Sequence, residues 1–248
     1  MGGATDALGA ESAQSEVFVS TADKGRVIVL GGHGKIALLA APKLKDAGYA
    51  VESVIRSADQ RGDIEAAGAS PVVLDLENAD AEALTQAFSG AQAVVFSAGA
   101  GGGSPERTRS VDFEAAARTM DAAEAAGVKR FVMVSYAGAG VDADRLDPED
   151  SFHPYAQAKH DADAHLRQTG LDFTILGPGR LTLEPASGKI TIADFEGTIA
   201  GQAPAGDEAV TSRENVAEVL AHVLSDGAAI GRTVNFYDGD TPLAEAIK

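Results

Sequence analysis

The chain has 248 residues, 45% of them hydrophobic, and a formal charge of −17. That length fits one α/β domain or two small ones with a sizeable core. The absence of cysteine excludes disulfides, zinc–thiolate sites and thiol catalysis, and the acidity argues against nucleic acid or anionic lipid as a partner. Residues 1–24, rich in Gly, Ala, Ser and acids, read as a disordered or loosely docked tail. They lack the positive start and apolar core of a signal peptide. No apolar run reaches the roughly 20 residues of a membrane helix, so a cytoplasmic location is expected. Residues 25–248 read as a single domain.

Arg26–Leu30, RVIVL, is a β-branched apolar run and predicts a buried parallel strand. Gly31, Gly32 and Gly34 follow, and Ile36–Ala41 continues with helical spacing. Strand, glycine turn and helix together make a dinucleotide-binding motif, because glycines let the backbone approach a pyrophosphate and the helix start attracts its charge. Ala37 fills the third glycine slot, an allowed substitute. Gly31, Gly32, His33, Gly34, Lys35 and Ile36 are therefore candidate cofactor contacts. His33 either reaches a 2′-phosphate or is simply exposed.

Val51–Ile55 predicts the second strand, with Arg56 at its tip. An acid there would hold the ribose 2′-hydroxyl of NAD, whereas an Arg matches the 2′-phosphate of NADP. Arg56 favours NADP over NAD. Ile64–Gly68 predicts a short helix, and Pro71–Leu76 a third strand closing on Asp75. Asp75 is placed either to accept from the adenine amino group or to cap the turn after it. Ala81–Phe88 predicts a helix and Ala93–Ser97 a fourth strand, which runs into a second glycine-rich loop, 98–103. Ligands of open α/β sheets bind at that carboxyl edge. Val111–Ala126 predicts a helix ended by Gly127, and Arg130–Ser135 a fifth strand. This alternation implies a three-layer, doubly wound parallel sheet, the Rossmann architecture.

Tyr155 and Lys159 open a helix running to Gln168 and share one of its faces. A neighbouring ammonium favours the phenolate and is expected to lower the tyrosine pKa. Such a tyrosine passes a proton to or from a substrate oxygen while hydride moves at carbon. Lys159 is also placed to hold the nicotinamide ribose, and Ser135 to hydrogen-bond the substrate oxygen. Leu171–Leu176 predicts a sixth strand entering Gly177-Pro178-Gly179, whose backbone is expected against the nicotinamide carboxamide. Lys189–Phe195 predicts an edge strand, Ser212 a cap for a helix over 213–224, and Gly231–Tyr237 a final strand. The part from about 177 to 248 is expected to cover the substrate. His153, His160, His165 and His222 lack metal-ligand partners in the sequence pattern, so no metal is expected.

These segments, in order VIVLGGHGKIA, VIRSADQ, VVLDLEN, VVFSAGAGG, VDFEAAARTMDAAEAAGVKRFVMVS, YAQAK, LDFTILGPGRLT and GRTVNFYDGDTPLAEAI, resemble the short-chain dehydrogenase/reductase superfamily, most closely its atypical subgroup 5. The resemblance covers about residues 25–248. It implies that Gly31, Gly32, Gly34 and Ile36 hold the pyrophosphate, Arg56 the 2′-phosphate, and Asp75 with Leu76 the adenine. Ser97, Ala98 and Gly99 would line the nicotinamide, and Ser135, Tyr155 and Lys159 would be the catalytic set. Asp112 stands where many relatives carry a catalytic Asn. The implied activity is NADP(H)-dependent oxidoreduction of a small carbonyl or quinone-like substrate by a monomer or weak homodimer. The alternatives are a non-catalytic redox sensor and a sugar-nucleotide-type epimerase or isomerase that retains its cofactor.

Overall fold

A computed structural model describes residues 24–101 and 104–248. The expected tail therefore lies outside the described residues except for Lys24, and so do Gly102 and Gly103 of the second glycine loop. Nine strands form one sheet, in the order β11-β8-β10-β6-β5-β4-β1-β2-β3. They are β1 (Arg26–Leu30), β2 (Ala50–Ile55), β3 (Ser70–Val73), β4 (Ala93–Phe96), β5 (Arg130–Val134), β6 (Asp172–Pro178), β8 (Lys189–Ala193), β10 (Arg232–Asp238) and β11 (Thr241–Pro242). The run from β3 to β10 is parallel, and β8 pairs antiparallel with both β10 and β11. The short strands β7 (Arg180–Thr182) and β9 (Val210–Ser212) pair in a separate two-stranded sheet.

The central strand β1 explains its own sequence. It is flanked by β2 and β4 and covered on both faces, so every position from Val27 to Leu30 is apolar and buried. Alternate residues serve different layers. Val27 and Val29 pack with Ala40 and Leu44 of α1 (Lys35–Asp46) and Val216 and Leu220 of α8 (Arg213–Ser225). Ile28 and Leu30 pack on the other face with α3 (Ala81–Phe88), α5 (Ala116–Ala125) and α7 (His153–Gln168). The helices α2 (Arg61–Ala66), α4 (Pro105–Thr108), α6 (Asp142–Arg145) and α9 (Leu243–Ala246) are short. The result is the expected three-layer α/β fold with a mostly parallel sheet.

Several boundaries differ from expectation for identifiable reasons. Strand β3 stops at Val73 because Asp75 turns the chain, its carboxylate accepting from the Glu77 amide at 3.0 Å and the Asn78 side chain at 2.7 Å. The helix expected at 111–126 begins at Pro105, where Ser104 caps it and Pro occupies the first position. It passes through a π-helical stretch, Arg109–Ala115, before α5. Gly177 and Pro178 do not leave the sheet but extend β6, paired with Asn235 and Phe236 of β10. Ser212 does cap α8, accepting from the amides of Glu214 and Asn215.

Candidate functional site

After β1 the chain fills one side of the sheet with β2 and β3, then crosses to β4 on the other side. This reversal opens a crevice at the carboxyl ends of β1 and β4, the general ligand site of open α/β sheets. The structure has a cleft of about 1080 Å³ there. Gly31, His33, Gly34 and Ile36 line one end, and Ser135, Tyr155 and Lys159 the other.

The glycine turn is fixed by close packing. Gly31 has φ +75°, and a Cβ on it would lie 2.6 Å from Ala98 Cα. A Cβ on Gly32 would lie 2.5 Å from Ser53 Cβ, so Gly32 supports the turn from beneath rather than facing the cleft. Gly34 is the N-cap of α1, with no side-chain cap and no acid in the first turn. An open helix start facing a cleft suits a diphosphate, because its amide hydrogens and dipole both favour an anion. Ala37 is fully buried in the core, as the third slot of the motif requires. Lys35 is exposed and outside the lining. Gly31→Ala should lose about 1–3 kcal/mol of stability from overpacking and positive-φ strain, together with cofactor binding. Thermal melting and NADPH titration check both.

Arg56 reaches the cleft from the tip of β2, its side chain 64% exposed and 3.7 Å from Glu77. Glu77 also pairs with Arg107 at 3.1 Å. His33 lies at the same mouth, held by Asp63 at 2.7 Å and Gln60 at 3.2 Å. Asp75 and Leu76 line this end, and Ser97, Ala98 and Gly99 line the floor between the ends. Pro178 and Gly179 do not line the cleft. The Pro178 carbonyl accepts from the Ala137 amide, and the Gly179 amide donates to Phe236 O and Thr211 Oγ1. A Cβ on Gly179 would meet the Tyr237 ring at 2.4 Å, so packing and not a ligand accounts for this glycine. Leu181, beyond it, does reach the lining.

At the reactive end four ionisable or hydroxyl side chains are almost fully withdrawn from water: Ser135 at 5% exposure, Lys159 and Asp112 at 2% and Asp163 at 0%. Lys159 Nζ donates to the Val134 carbonyl at 2.8 Å, which leaves two donors for other partners. Asp112 accepts from the Ala100 amide at 3.0 Å. It sits in the π-helical stretch, a distortion often found at functional sites. Ser135 Oγ and Asp163 Oδ2 are 2.7 Å apart. The Tyr155 ring forms a triangular cluster with Tyr136 and Phe152, all three centroid distances lying between 5.3 and 5.6 Å.

The electrostatics correct one expectation. Burial raises the Tyr155 phenol well above its ordinary value, and Asp112 and Asp163 push it further. The lowering expected from Lys159 is not what prevails, because withdrawal of the phenol from water outweighs it. Burial lowers Lys159, while Asp112 and Asp163 act the other way. Burial also raises Asp112 and Asp163, against Lys159 in both cases. Asp163 escaped the sequence reading. Its signal was there: Tyr155, Lys159 and Asp163 stand at successive four-residue steps along one face of α7.

Comparisons with known proteins point to the same fold and to a nicotinamide nucleotide. The NAD(P)H-binding family profile matches residues 31–227. The uncharacterized sugar epimerase YhfK of Bacillus subtilis is 34% identical over 226 residues, covering 90% of this chain and 99% of YhfK. A candidate NAD-dependent epimerase/dehydratase from Bacillus halodurans superposes with a TM-score of 0.77 at 33% identity, over 89% of this chain and 97% of that one. The oxidoreductase ylbE of Lactococcus lactis does so with a TM-score of 0.74 at 26% identity, over 89% and 94%. With its glycine turn, its strand order and most of its length accounted for in this way, the chain belongs to the NAD(P)H-binding family.

Proposed function

We propose that the protein is an NADP(H)-dependent oxidoreductase that reduces a small carbonyl or quinone-like compound. The observation that carries the reading is the shared cleft: an open helix start at one end, and Tyr155, Lys159 and Ser135 at the other. The dinucleotide supplies hydride when bound. Gly31, Gly34 and the first amides of α1 grip its diphosphate, and Arg56 with His33 takes the 2′-phosphate. Asp75 and Leu76 face the adenine, and Ser97 to Gly99 the nicotinamide side. Tyr155 gives the proton to the substrate oxygen as a neutral phenol, and Ser135 anchors that oxygen. Lys159 has donors left for the ribose hydroxyls. The kinship with ylbE supports oxidoreduction. A small-molecule substrate and a monomer or weak dimer belong to the same reading. No helix among the described residues is long and apolar enough to cross a membrane.

Arg56→Ala tests the cofactor choice. Losing a charge-assisted contact should weaken NADP binding by about tenfold or more, with NAD binding unchanged. Equal losses in fluorescence titrations with the two reduced nucleotides would remove Arg56 from the 2′-phosphate. A second reading is favoured by the relatives described as epimerases. In an epimerase the cofactor stays bound through the cycle, so release of oxidised cofactor on each turnover argues against it.

A further inference from the structure

Asp163 is the most deeply withdrawn acid of the reactive end, with no exposed surface. One of its oxygens, Oδ2, meets Ser135 Oγ at 2.7 Å, and the other, Oδ1, has no hydrogen-bond partner. The groups around it do not make up that deficit. On its own helix, Lys159 donates to the Val134 carbonyl, Arg167 donates to Thr233 and stacks over Phe195, and His160 is engaged with the Ala139 carbonyl. Tyr155 and Tyr136 face it as neutral phenols. From the π-helical stretch Asp112 competes for the same ammonium. Both acids feel a second positive group, Arg107 for Asp112 and Arg167 for Asp163, but Asp112 is less deeply enclosed and has the Ala100 amide as a fixed donor, whereas Asp163 has no backbone donor among the described residues and is fully enclosed. Two buried carboxylates thus face one buried ammonium, and a buried carboxylate with an orphaned oxygen sheds its charge by taking a proton.

We propose that Asp163 is a neutral carboxylic acid that donates to Ser135, so that the Ser135 hydroxyl proton is free to point at the substrate oxygen. An ionised Asp163 would have the opposite effect. It would take the single Ser135 proton and leave only lone pairs facing the cleft. Asp163 is therefore a positioning residue that acts through Ser135, and it gives the substrate oxygen a second hydrogen-bond donor beside Tyr155. No proton leaves Asp163 in the reaction. The proposal rests on the hydride-transfer reading for its purpose but not for its test.

Infrared difference spectroscopy of the full chain against Asp163→Asn at neutral pH reads the protonation directly. A protonated-carboxyl C=O band present in the wild type and missing from the variant is expected. Its absence overturns the proposal. With an acceptor that the protein reduces, Asp163→Asn should keep most of kcat, because its amide N–H also donates to Ser135. Asp163→Leu should fall as far as Ser135→Ala, roughly a hundredfold, the scale of a lost oxyanion donor, with the NADPH dissociation constant unchanged in both. A fully active Asp163→Leu enzyme that has melted normally would equally overturn it. If no acceptor is reduced, the oxidoreductase reading fails by itself, and the infrared band still decides the state of Asp163.

Discussion

Tyr155→Phe should cut turnover by roughly two orders of magnitude or more while leaving cofactor binding in place. The substitution isolates the hydroxyl because the ring is held independently of it. Tyr136 and Phe152 pack against it in a three-ring cluster, and a phenylalanine ring makes the same contacts. The pH profile gives a second check with a definite sign. Burial, reinforced by Asp112, raises the phenol above its ordinary value, so the acid form persists through neutral and into alkaline solution. Reduction, which consumes that proton, should not lose rate to Tyr155 ionisation until pH passes the ordinary tyrosine value of about 10. The reverse oxidation needs the phenolate and should climb with pH over the same span. Turnover in the Phe variant equal to wild type, measured at saturating NADPH, would take Tyr155 out of the chemistry.

What the chain disclosed before folding followed from how local each signal is. Val27–Leu30 is buried on both faces, and an unbroken apolar run has few other uses. Gly31 lies at the end of that run, and its positive φ and contact with Ala98 are satisfied by glycine alone. Tyr155 and Lys159 are one helical turn apart, so their meeting needed only α7. The failures are of the opposite kind. Pro178 and Gly179 look like a loop, yet β10, more than fifty residues later, recruits Pro178 into the sheet and Tyr237 occupies the space beside Gly179. The pairing of β7 with β9, Arg180 with Val210, is also non-local. The state of Tyr155 depends on Asp112, brought in by a π-helical stretch whose register no periodicity announces. Asp75 admits two readings in the sequence, adenine contact and turn cap. It lines the cleft while its carboxylate caps the turn, and both follow from its place two residues beyond the strand.

Lys159→Met should be the most destabilising change in the site. Lys159 is 2% exposed, and its ammonium is the buried counter-charge for Asp112, itself 2% exposed. Methionine preserves the length of the stem but removes the stronger of the two positive charges acting on that carboxylate, leaving Arg107. Losing the counter-charge of a buried carboxylate costs about 1–3 kcal/mol, and for a chain of this size that corresponds to a melting temperature lower by roughly 5 °C. The deficit depends on pH in a fixed direction. Asp112 already has a folded pKa above its unfolded value, and losing Lys159 raises it further. A carboxyl raised in this way leaves stability intact below its unfolded value, near 4, and costs stability as pH rises through the folded value. The variant should therefore approach the wild type in acid and fall behind it towards neutrality. Adding Asp112→Asn removes the stranded charge and should recover much of the loss, whereas two unrelated sites would simply add. Melting curves for the two single variants and the double variant, taken across that pH range, decide the matter. A Lys159→Met protein that melts with the wild type at neutral pH would mean that Lys159 is not the counter-charge that sustains Asp112 in the interior.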